Sequence, residues 1–154
     1  MAAVAVDTNL LLLLIVGRTR RDFIAKHKRL RSYSEWDFDL VAQLLKDVDT
    51  VLTTPNVLTE VSNLLVQGVL EPLRTQLLET FSLIVTAMAE QYHPSRSSVD
   101  DKSFRTLGLA DATWLCVLDT DAVLITDDSN LTWQAEARGI PVLNLDALRT
   151  NLSW

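Results

Sequence analysis

A chain of 154 residues, 48% apolar and 22% charged, has material for one packed core and lies outside the disordered class. Its net charge of -6 opposes broad nonspecific attraction to nucleic acid, and a single cysteine, Cys116, excludes an internal disulfide and reads as a small core residue. The apolar run at residues 10–16 is too short to span a bilayer and no basic segment precedes it, so neither a membrane span nor a secretion signal is expected, and a cytoplasmic location fits.

Residues 2–6 read as a short strand, apolar on both faces and ending at Asp7, with Thr8 or Asn9 as cap of a helix that runs to about Gly17. Seven of the fourteen Lys and Arg residues follow in "RTRRDFIAKHKRLR": Arg18, Arg20, Arg21, Lys26, Lys28, Arg29 and Arg31, against one acid, Asp22. A solvated helical face, a phosphate-binding surface and a docking patch for an acidic partner all fit that run. Its histidine, His27, is expected to face solvent. Ser34 is a plausible cap for a helix whose apolar positions are Trp36, Leu40, Leu44 and Val48. A second strand, "TVLTTP", precedes a helix over residues 56–68, and a long helix with Pro72 in its first turn extends to residue 92. Residues 93–103, including His93, are polar and read as a loop. Helix resumes at residues 106–119, followed by a strand at "AVLIT", a helix over 130–139 and a last strand at "IPVLNL". Trp36, Trp114 and Trp133 lie in helical context, where core packing is favoured over base stacking.

Short apolar strands alternating with helices describe a parallel sheet covered on both faces, and ligands of such folds gather at the carboxyl ends of the strands. Asp7 stands at one such end, Asp127 and Asp128 at another. Glu60 shares a helix face with Val57 and Leu64, and Asp111 shares one with Leu107, Trp114 and Leu118. Carboxylates brought together repel and are relieved by a hard divalent cation held through oxygen. Two histidines and one cysteine cannot supply a structural zinc set, and no phosphate-binding glycine loop or nucleophile elbow is present.

These fragments, in this order, resemble the PIN domain family, which includes the VapC-like toxins of toxin-antitoxin pairs. "VDTNLL" is similar to its opening strand and first acid, "PNVLTEVSNLL" to the segment carrying the second, "GLADATWL" to the third, and "LITDDSNL" to the strand that precedes the fourth. The resemblance covers nearly the whole chain. It implies a three-layer α/β/α PIN-like fold with a central, mostly parallel sheet, here one domain over residues 1–154 with a basic helical insert at about 18–48. The separation of 53 positions from Asp7 to Glu60 exceeds the compact toxin pattern.

The resemblance further implies a Mg2+- or Mn2+-dependent endoribonuclease with Asp7, Glu60, Asp111 and Asp128 as catalytic and metal-holding acids. The metal and these acids would activate a water that attacks phosphorus, leaving a 5' phosphate and a 3' hydroxyl. Thr8, Asn9, Thr126 and Asp127 would orient the carboxylates, and the seven basic residues would contact RNA. A cognate antitoxin and a homodimer are implied partners, with no membrane. The alternative is a PIN-like interaction or scaffold domain without catalysis. A haloacid dehalogenase-type phosphatase is disfavoured because Asn9 stands where a second aspartate is needed, and a flap-type DNA nuclease usually has more acids and a longer chain.

Overall fold

The strands of the central sheet are short and pair in parallel, and Ala3–Val6 and Ala122–Thr126 at its centre are the most apolar and most buried. The computed structural model describes residues 3–152, with β1 at Ala3–Val6, β2 at Thr50–Thr53, β3 at Ala89–Glu90, β4 at Ala122–Thr126 and β5 at Val142–Asn144. Ala2, expected in the first strand, lies outside the described residues. The strand order is β3-β2-β1-β4-β5 and all four pairings are parallel. Helices flank this sheet in a generic three-layer α/β/α arrangement.

The helix α1 (Thr8–Thr19) explains the run of leucines, since Leu10 through Gly17 are all buried. A helix apolar on every side belongs inside a domain, and α1 packs against α2 (Glu35–Leu45), α3 (Pro55–Leu65) and α4 (Leu73–Thr86). The remaining helices are α5 (Ser95–Asp100), α6 (Phe104–Leu107), α7 (Leu109–Val117), α8 (Ser129–Ala137) and α9 (Leu145–Leu152). Among the described residues no helix is long and apolar enough to cross a membrane.

Several local expectations are corrected. The cap of α1 is Asp7 itself, whose Oδ1 accepts from the Thr8 amide at 2.8 Å, not Thr8 or Asn9. β2 ends at Thr53, short of Pro55, which is the first residue of α3, where its missing N–H costs nothing. The long helix ends at Thr86, and residues 89–90 pair with β2 as an edge strand too short to leave a periodic signal. The expected loop at 93–103 contains α5, whose buried Ser98 hydroxyl meets that of Thr113 on α7 at 2.9 Å. Gly108, at φ 87°, separates α6 from α7 inside the expected single helix. No reading anticipated α9. Cys116 is half-buried rather than in the core.

The basic run is not a helix beyond Thr19. A 3-10 turn at Arg21–Phe23 leads into successive turns, with Leu30 N–H bonded to the His27 carbonyl and Tyr33 N–H to that of Leu30. Every third residue, Ile24, His27, Leu30 and Tyr33, is buried, and Lys26, Lys28, Arg29 and Arg31 point outward between them. His27 is therefore a buried anchor, contrary to expectation: Nε2 lies 2.9 Å from the Leu65 carbonyl, and Nδ1 accepts from the Arg29 amide. Burial lowers its pKa, so the ring is held neutral.

Ser34 caps α2 as expected and completes a capping box with Asp37. The buried residues of α2 are Asp37, Phe38 and Val41, while Leu40, Leu44 and Val48 of the expected stripe are partly buried against the core. Trp36 remains 48% exposed and Trp133 72%, whereas Trp114 alone of these three is fully buried.

Candidate functional site: an acidic cleft at the sheet switch point

In this strand order the chain proceeds from β1 outward through β2 to β3, then returns to the other side of β1 for β4 and β5. The reversal leaves a crevice beyond the carboxyl ends of β1 and β4, the position where open parallel sheets take ligands. Val6 is in register with Ile125, and the Asp7 amide donates to the Ile125 carbonyl at 3.0 Å, which sets Asp7 beside Thr126.

A cleft of about 490 Å³ opens there, lined by Asp7, Thr8, Asn9, Glu60, Asp111, Asp127 and Asp128 together with the bend at residues 107–110. All five acids singled out from the sequence thus line one cavity. Asp7 comes from the end of β1, Glu60 from α3, Asp111 from the first turn of α7, and the last two from the link between β4 and α8. Gly108 makes the turn that aims α7 at the cleft, at a positive φ that a side chain would strain. Glu60 departs from expectation: it is exposed, opening onto the cleft rather than sharing the buried face of Val57.

The carboxylates are held differently. Asp7 is buried, and its Oδ2 accepts from the Thr126 hydroxyl at 2.8 Å. Thr126 Oγ1 also accepts from the Asp128 amide at 3.1 Å, so one hydroxyl ties both strand ends together. Asp128 caps α8 by accepting from the Leu131 amide at 2.9 Å and is exposed. Asp127 accepts a hydrogen bond from the Tyr33 phenol. Nothing in the sequence signalled Tyr33, because the contact joins the end of the basic segment to a residue far along the chain.

Burial raises Asp7 to about 6 against the two bonds that oppose it, with Asp127 and Asp128 adding to the rise. Asp111 is pushed up to about 8, first by burial and then by the charges of Asp7, Asp128 and Glu60. The cleft is an electrostatic sink whose acids destabilise one another. Burial, followed by Asp127, keeps the Tyr33 phenol protonated well above its ordinary range.

All-oxygen donors of this kind suit a hard divalent cation. Among the described residues, no three Asp, Glu, His or Cys side chains are grouped closely enough to hold an ion as they stand. The seven basic side chains do not line this cleft. Arg21 is engaged by Asp39 and Glu35, and Arg20 by Asp22.

The Thr126 hydroxyl gives a direct test. Thr126→Val keeps the shape but removes the donor, so Asp7 should titrate above about 6, with a stability loss of about 1–3 kcal/mol. Carbon-13 NMR titration of the Asp7 carboxyl measures this, and an unchanged titration would refute the assigned bond. Compared with protein-family models, curated proteins and solved structures, the chain matches none.

Proposed function

We propose that this chain is a Mg2+- or Mn2+-dependent endoribonuclease of PIN type. The observation that carries the proposal is the gathering of five carboxylates from four segments in one cleft at the switch point of a parallel sheet. In this reading Asp7, Asp111 and Asp128 hold the cation and Glu60 ligates or orients the attacking water. Loading requires the acids to draw together; Glu60 is exposed, and Asp128, though exposed, would give up or share its cap of α8. When bound, the cation lowers the pKa of a water and offsets charge on the phosphate. Thr126 and the Thr8 amide fix the Asp7 carboxylate, and Tyr33 fixes Asp127. The toxin subclass, with an antitoxin over the cleft and a homodimer, is part of the same proposal and rests on the sequence resemblance.

A second reading, an interaction domain without catalysis, has one observation in its favour. A more apolar cleft of about 790 Å³ lies beside α1, α2 and α4, bordered by Leu11, Leu14, Leu83 and Met88. Cleavage of labelled single-stranded RNA, structured RNA and DNA separates the two. The nuclease reading expects RNA cleavage with Mg2+ or Mn2+, none with EDTA, and a loss of at least about a hundredfold in Asp7→Asn. Full activity of Asp7→Asn, free of contaminating nuclease, would overturn it.

A further inference from the structure

Tyr33 links the acidic cleft to a second one through its hydrogen bond to Asp127. Its phenol donates to Asp127, which lines the first, while Tyr33 itself lines a cavity of about 520 Å³ with Arg31, Ser34, Trp36, Asp37 and Arg149. The two cavities are opposite in character. Asp37 is taken up by Arg149, whose Nε donates to its Oδ1 at 2.7 Å, and by the Ser34 amide at 2.8 Å. Arg149 is also held by Asp146 and lies over the Tyr33 ring at 5.4 Å, leaving Nη2 as a buried donor with no acceptor among the described residues. Arg31 is exposed, and among the described residues no carboxylate pairs with it. Arg149 is engaged by Asp37 and Asp146, so Arg31 is the cation of this cavity that no carboxylate of the described residues takes up.

Trp36 supplies the other half. It sits in the first turn of α2 and is 48% exposed, because Phe38 and Val41 already provide the buried face. An exposed indole beside a free guanidinium offers a flat surface for a base and a cation for its phosphate. The cavity lies within the size range of small-molecule sites, which suits one nucleotide better than a folded partner.

We propose that this second cleft is a nucleotide subsite for single-stranded RNA, with a base stacked on Trp36, its phosphate on Arg31, and the strand passing Tyr33 into the acidic cleft. The inference rests on the ribonuclease reading for its substrate. Stacking accepts every base, so the subsite positions the strand while leaving its sequence open.

The test is a binding titration of a fluorescently labelled single-stranded RNA oligomer against the intact chain in EDTA, paired with Mg2+-dependent cleavage kinetics. Trp36→Ala should weaken Kd about tenfold and raise KM with kcat unchanged, while Trp36→Phe retains most of the affinity. Arg31→Ala should reduce the salt slope of binding by about 0.7. Both side chains are exposed, and melting curves equal to that of the native chain verify that the fold is kept. Cleavage by a native chain whose Trp36→Ala variant keeps the native Kd overturns the subsite and leaves the ribonuclease reading standing. Trp36-dependent binding without metal-dependent cleavage does the reverse. A native chain that does not bind the oligomer overturns the subsite.

Discussion

The Asp111→Asn variant is expected to melt several degrees above the native chain at pH 8.5 and, on the ribonuclease proposal, to lose RNA cleavage. The carboxyl of Asp111 is pushed from 3.8 to about 8 by burial and by Asp7, Asp128 and Glu60. Between those values the folded chain binds more protons than the unfolded one. Stability therefore falls as pH rises through that window, and the penalty is fully present only above about pH 8. Asparagine removes the charge at nearly constant shape, so the advantage of the variant should shrink to nothing by about pH 4. Mg2+ should close the gap from the native side, because an ion bound only by the folded state stabilises it. Thermal melts at pH 4, 6 and 8.5, with and without Mg2+, measure this directly. A gap independent of pH, or a variant that melts lower at pH 8.5, would remove the electrostatic account. A fully active variant would remove the catalytic one.

Gly17→Ala should destabilise the chain, against the ordinary rule for helices. In an open helix the change gains up to about 1 kcal/mol from propensity. Here the new Cβ would stand 2.2 Å from Phe38 Cδ2 and 2.6 Å from its Cγ. A clash that includes the root of the ring cannot be relieved by swinging its far edge away. It must push α2 off α1 and disturb Arg21, whose guanidinium lies over the ring at 5.3 Å. Overpacking of this kind costs about 1–3 kcal/mol. The net expectation is a Tm lower by about 2–6 °C, with weaker RNA binding because α2 carries Trp36. Adding Phe38→Leu should return part of the loss. A rise in Tm for the single variant would show that propensity prevails and that the two helices do not meet as closely as described.

These two sites were unequally visible in the chain. Asp111 was marked by Trp114, since an acid three residues before it occupies the apolar side of α7, although Leu107, the other neighbour in the pattern, belongs to α6 across the Gly108 break. Gly17 read only as a residue near a helix end. Its role comes from Phe38, which reaches it through the tertiary packing of α2. Trp36 misled in the same way: Leu40 and Leu44, with which it is spaced, do pack against the core, but Trp36 itself is exposed and Phe38 and Val41 are the buried apolar positions. In the basic segment, burial at every third position from Ile24 to Tyr33 is too brief and too dilute among charges to announce itself.

The sequence by itself determined the α/β class, four of the five strands and the acids that end or flank them. Each of those depends on local information: an apolar run that must be buried, a polar residue where it stops, a carboxylate at a helical spacing. The tertiary structure decided the strand order, and with it that Asp7 and Asp127 face one crevice rather than distant edges. It also decided that Tyr33, in the cavity carrying Arg31 and Trp36, reaches Asp127 of the acidic cleft. Those outcomes rest on contacts between residues far apart along the chain, whose energies appear only once the sheet and the helices packed with α1 have brought the segments together.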